Sequence, residues 1–261
     1  MSNIFPRFSG RGRRQIDLKK WDANTVVGWL EDDFHHFGVT VKHDGHFVTD
    51  VHMSSPRTPW STCGGASEPL KALIGKPLIS RSSEIGKLIE MRLQCTHVYD
   101  LTGLVLAHAA SGREHRRYHV ICLDRALIPH EGQRTLADFG PGRIELYRDD
   151  ELVMWWDIER DFISAPAAAA GQSLQQGFRQ WTETMPLQEA EYATIMRRAM
   201  LVAGGRSMDH DDYLNGAAME QPPLCHSFQP EQRDYAWRHY GNTQNYEDTP
   251  EQMLRFVNHR A

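Results

Sequence analysis

Apolar and polar residues alternate along the first fifty positions in the rhythm of β-strands. Arg14–Trp21 and Thr25–Leu30 alternate, with Asp22-Ala23-Asn24 between them as a turn. Val39–Lys42 alternates again. His43-Asp44-Gly45-His46 then offers an Asp-Gly hairpin, and Phe47–Met53 returns. Residues 1–53 therefore predict a three- or four-stranded antiparallel meander behind a mobile lead-in over 1–14. The period then changes. Leu70, Leu73 and Ile74 recur at i, i+3 and i+4, which predicts a helix stopped by Gly75 and Pro77. A second helical pattern starts near Ser83 (Ile85, Leu88, Ile89, Leu93). It passes into a helix that carries Cys95-Thr96-His97 at its start and ends near Gly112. Strands are predicted again at Arg117–Asp124, Arg143–Arg148 and Leu152–Asp161, with turns at Pro141-Gly142 and Asp149-Asp150.

Beyond them, Ser164-Ala165-Pro166 and the alanines 167–170 read as a linker. Helices follow over Leu174–Trp181 and Leu187–Val202, then an irregular polar stretch, then a last helix from Thr249-Pro250 to about Asn258. The fold class expected is α+β: an antiparallel sheet with helices on one face, extended by further strands and a C-terminal helical region. The expected division is a core domain at 1–163 and a helical extension at 164–261.

Charge narrows the choice of partners. A net charge of -5 from 29 basic and 34 acidic residues disfavours nucleic acid, which calls for a basic face. The arginines of the N-terminal arm (Arg7, Arg11, Arg13, Arg14) read as a solvated cluster. No secretory core precedes the cysteines and no apolar run is long enough to cross a bilayer, so a cytoplasmic chain without a membrane partner is expected. The four cysteines (63, 95, 122, 225) are then free thiols or ligands. A small molecule is the expected partner, with a homo-oligomer also open.

Three segments carry chemistry and can converge. Asp32, Asp33, His35 and His36 lie at a strand end, Cys63 precedes the first helix, and Cys95, His97 and Asp100 open a later one. A cysteine at a helix start feels the positive end of the dipole, which favours thiolate. The plainer reading of Cys63 is a small buried residue filling a turn. Cys63, Cys95 and His97 can bind zinc or iron, although no Cys-x-x-Cys spacing marks the site. Cys95 and His97 can equally be ordinary packed residues. Neighbours on an alternating segment face opposite ways, so only one of His35 and His36, and one of Asp32 and Asp33, can enter a shared site. Without a metal the same groups support acid–base work: a histidine held by a carboxylate accepts protons near neutral pH. Arg57 can stabilise a phenolate or carboxylate, or simply form a salt bridge. No glycine-rich dinucleotide loop is present.

The segments GWLEDDFHHFGVTV, SSPRTPWSTCGGA with LKALIGKPL, and CTHVYDLTGL resemble the bacterial domain of unknown function 2889, over about the first 200 residues. Members of that family often accompany genes for the breakdown of aromatic compounds and sterols. The resemblance implies a catabolic enzyme or accessory factor. One step it admits is a carbon–carbon lyase that releases formaldehyde from a small, lignin-derived aromatic substrate. Such a lyase needs no redox cofactor, and would use either none or a divalent metal. In architecture the chain is also similar to the NifU/IscU type of iron–sulfur scaffold. Cys63 and Cys95 match two of that scaffold's cysteines, while Asp32, Asp33 and His35 stand where the first would be. This second likeness implies a metal- or cluster-binding accessory protein instead.

Overall fold

A computed structural model of the chain describes residues 10–128, 138–255 and 258–261. The strands are β1 (Arg11–Asp22), β2 (Thr25–Asp32), β3 (His36–His43), β4 (Val48–Arg57), β5 (His115–Leu123), β6 (Gly142–Arg148), β7 (Glu151–Glu159) and β8 (Phe162–Ala165). The helices are α1 (Ser67–Leu70), α2 (Thr96–Ser111), α3 (Phe178–Glu183) and α4 (Leu187–Ala203). In hydrogen-bonded order the strands run β4-β3-β2-β1-β5-β6-β7-β8. The fold is α+β, as the patterning predicts. Contacts group the chain into two compact units. One contains Gln15–Arg117, His210–Gln244 and Gln252–Ala261, and the other contains Tyr118–Asp209 with two short flanking pieces.

In the first unit the predicted meander is present as β1 to β4. Asp44 Oδ1 accepts the main-chain N–H groups of His46 (2.9 Å) and Phe47 (2.7 Å), and Gly45 adopts φ 101°, closing the hairpin. Arg11–Arg14 belong to β1 rather than to a mobile arm, while residues 1–9 of that expected arm lie outside the described residues. Strand β2 is buried along its whole length. On one face a Cβ at Gly28 would lie 2.4 Å from Val105 Cγ2, with Leu101 and Leu18 beside it. The other face carries Val27 and Trp29, which cluster with Leu254 and Ala261. The expected polar side of this strand is thus covered by a segment remote in sequence.

Helix α2 begins after Cys95 and ends at Gly112, whose left-handed φ of 67° makes the C-cap that the sequence predicts. The two helices expected before it form only short turns. Residues 63–73 make a 3-10 turn, α1 and a second 3-10 turn, and Ile74 is extended and 48% exposed. Ser67–Leu70 completes one α-helical turn before the chain tightens into 3-10 geometry and Gly75 takes φ 81°. Residues 82–87 and 91–93 are likewise 3-10 turns. Their position is set by packing: a Cβ on Gly103 of α2 would sit 2.5 Å from the Ser82 carbonyl oxygen.

In the second unit Asp149 and Asp150 take positive φ (51° and 70°) between β6 and β7, at the predicted turn. The predicted linker is replaced in part by β8. Ile163, 1% exposed, pairs with Ile158 of β7, and its burial explains why the chain continues the sheet. Trp156 is buried against Phe178 and Trp181, while the Arg143 guanidinium lies 4.4 Å over the Trp155 ring. Helix α4 buries Tyr192, Ile195, Met196 and Ala199, but leaves Leu187 exposed at its first turn. The last predicted helix is a single 3-10 turn at Pro250–Gln252; residues 256 and 257 lie outside the described residues.

Two expectations follow. Gly28→Ala forces a methyl into the β2–α2 contact and should cost about 1–3 kcal/mol in urea unfolding; an unchanged midpoint would show that α2 can yield there. His108, 2% exposed near the end of α2, has its pKa pushed down to about 4, first by burial and then by Arg113 and Arg116. The folded protein therefore keeps it neutral while the unfolded chain takes up a proton below 6.5. Its contribution is constant above that pH and falls as pH drops toward about 4, by about 3 kcal/mol in total. His108→Leu should flatten the acid limb of the stability curve by that amount.

Candidate active site

The β2–β3 connection is a tight turn built by one carboxylate. Asp32 Oδ1 accepts the main-chain N–H groups of Phe34 (3.0 Å) and His35 (2.9 Å). The same oxygen lies 2.9 Å from His35 Nδ1. An aspartate that caps its own turn in this way fixes both its oxygen and the ring beside it. His97 arrives from the first turn of α2 and stacks on His35, with ring centroids 3.7 Å apart and 28° between planes. Phe37 stacks on both rings at 5.9 and 6.2 Å. Among the described residues, Asp32, His35 and His97 form the group of potential ligand side chains whose donor atoms all lie within 4.8 Å of one another. The Asp32 and His35 side chains are 3% and 13% exposed, so charges there are screened far less than on the surface.

The alternation argument separates the paired residues as expected. His35 faces His97, while His36 points to the other side, with its Nδ1 3.5 Å from Glu31 Oε1 and its ring edge-on to Trp29. Burial pushes the His36 pKa down, and Glu31 only partly offsets this. Asp33 is buried and uses its main-chain carbonyl to accept from Arg57 Nη1 (2.9 Å) and the Gln244 N–H (2.7 Å). Asp100 lies one helical turn beyond His97 on α2 and is partly buried.

Arg57 holds this connection from beneath. Its Nη2 donates to Glu31 Oε1 (3.1 Å) and to the carbonyls of Asp32 (2.5 Å) and His35 (3.2 Å), and its Nη1 also donates to the Asn242 carbonyl (3.1 Å). The guanidinium is thus engaged with the protein's own oxygens, which is the salt-bridge role weighed for it in the sequence. Glu31 was not singled out by sequence reasoning. Its Oε2 also accepts the Leu254 N–H at 2.6 Å, so it joins the turn to a segment more than two hundred residues away. Nothing in local sequence signals that contact.

The cysteines take the plainer role. Cys63 is 6% exposed, in a 3-10 turn, with its sulfur 3.4 Å from Ser227 Oγ. Burial pushes its pKa up, as it does for Cys95, and raises Cys225 to about 12. The thiolate expected at Cys63 is therefore disfavoured: burial raises the thiol's pKa, and a turn this short supplies little dipole to oppose it. Cys95 precedes α2, with its sulfur 4.0 Å from His97 Nδ1. The structure brings Cys95 beside His97 and leaves Cys63 outside the Asp32–His35–His97 group.

These features define an α+β protein with an antiparallel sheet and a partly buried carboxylate–imidazole cluster. Residues 16–111 match the family model described as Protein of unknown function (DUF2889). The span is shorter than the resemblance suggested, yet it contains all three motifs and every residue of the cluster. No curated protein matches the chain. The scaffold likeness drawn from Cys63 and Cys95 gains nothing from the match. No helix among the described residues is long and apolar enough to cross a membrane.

Removing Arg57 should leave the Glu31 carboxylate buried without its cation. Arg57→Met is expected to cost about 3–5 kcal/mol in chemical unfolding, partly recovered in the Glu31→Leu, Arg57→Met double variant. Unchanged stability would mean that the turn does not depend on Arg57.

Proposed function

We propose that this protein is a catabolic enzyme that acts on a small aromatic substrate and breaks a carbon–carbon bond with release of formaldehyde. The observation that carries the reading is the Asp32–His35 contact at 2.9 Å with His97 stacked at 3.7 Å. A carboxylate that holds one ring nitrogen fixes the tautomer and aims the other nitrogen, as a general base requires. The family resemblance, with its setting in aromatic breakdown, supports the substrate class.

The reaction asks for a base and an acid close together. A base takes the proton of a primary alcohol, and the oxygen's electron pair becomes the carbonyl of formaldehyde. The carbon–carbon bond breaks, and its pair forms a double bond to the neighbouring carbon. In a phenylcoumaran an aryl-ether oxygen leaves that carbon as phenolate and takes up a proton; in a diarylpropane diol the hydroxyl on that carbon takes up the proton and leaves as water. His35, backed by Asp32, is the base in this scheme. His97 is the group that meets the phenolate, since Arg57 is occupied by the turn. Electrons and protons balance without a redox cofactor.

Purified protein incubated with a phenylcoumaran or a diarylpropane diol should release formaldehyde, trapped and measured as a coloured adduct. His35→Ala and His97→Ala should each lower kcat/KM by about 100-fold or more while circular dichroism stays native. Absence of release from either substrate class, or full activity in both variants, would dismiss the reading.

A further inference from the structure

We propose that Asp32, His35 and His97 together form a mononuclear site for a divalent cation, with zinc or iron(II) as the fitting ions. The inference deepens the catalytic reading and rests on the same cluster being the reaction centre.

The turn explains only part of the cluster. Asp32 is accounted for by the Phe34 and His35 N–H groups that it caps. That geometry requires no third group. Yet His97, from a separate element, places its ring against His35, and donor atoms of all three side chains lie within 4.8 Å of one another. Two ligands on one zinc ion, each about 2.0–2.1 Å from it, lie about 3–3.5 Å apart. The 2.9 Å between Asp32 Oδ1 and His35 Nδ1 is close to that spacing already, and a donor atom of His97 lies within 4.8 Å of the other two.

Electrostatics point the same way. A cation set among the ring nitrogens of two stacked imidazoles can take a lone pair from each. The Asp32 carboxylate offsets one unit of the ion's charge in a place where water screens little. Nitrogen and carboxylate donors without sulfur suit zinc or iron(II) rather than copper(I) or an iron–sulfur cluster. Cys95, with its sulfur 4.0 Å from His97 Nδ1, lies beside this ligand set and is not one of its members. Three protein ligands leave a position open for a substrate oxygen. An ion there would lower the hold of a primary alcohol on its proton and so take over the task assigned above to His35.

The full-length protein, stripped with a chelator and dialysed against zinc, iron(II) or cobalt(II), should retain one ion per chain by elemental analysis. The cobalt form should show visible d–d bands of a low-symmetry site. His97→Gln, chosen to keep the fold, and His35→Ala should each weaken retention at least tenfold and abolish the bands. Cys63→Ser and Cys95→Ser should keep both. Wild-type protein that holds no ion at micromolar cobalt overturns the proposal, as does an ion that survives the two histidine changes or is lost with the cysteines. Formaldehyde release separates the two readings. Turnover by stripped protein overturns the cation as the catalyst while the lyase stands. A histidine-dependent ion without turnover on any substrate keeps the metal site and removes the lyase.

Discussion

One buried ion pair holds the β2–β3 turn in shape. Arg57 and Glu31 side chains are 12% and 5% exposed and meet at 3.1 Å. The desolvation of each charge is large, and their mutual attraction offsets it only because the remaining donors and acceptors are also matched. The guanidinium reaches three carbonyls of the β2–β3 turn and one of Asn242, while the carboxylate reaches the Leu254 N–H. Asp32 and His35 are thus placed by main-chain atoms that a distant arginine holds, and the cluster inherits its geometry from that lattice. Such an arrangement suits a reaction centre, where small displacements of reacting groups have large effects on rate.

The elements that need only local information were legible in the sequence. Strands β1 to β4, the Asp44-Gly45 hairpin and the Gly112 cap follow from alternation, turn chemistry and a residue that tolerates positive φ. The helix expected around Ile85 was not, because Gly103 lets the 82–87 turn approach α2 so closely that packing decides the conformation. Strand β8 was hidden by the alanine-rich stretch after it, although Ile163 supplied an apolar anchor.

The site was legible in its parts. Alternation separated His35 from His36, and His97 stood among the candidates without any spacing that marked it. Its assembly was not legible, since Glu31 works through Leu254, and Arg57 through Asn242. The residues after 204 look irregular and polar, yet they supply partners to the turn and to Cys63. Sequence periodicity carries no record of contacts made by irregular segments.

The thiols described above have a practical consequence. Cys63, Cys95 and Cys122 are buried and Cys225 is half-buried, and none is cross-linked. Alkylating reagents can reach the three sealed sulfurs only when the surrounding chain opens, so their labelling kinetics clock local breathing of the molecule. The protein carries its own set of stopwatches, with Cys95 at the N-cap of α2 in one unit and Cys122 on β5 in the other.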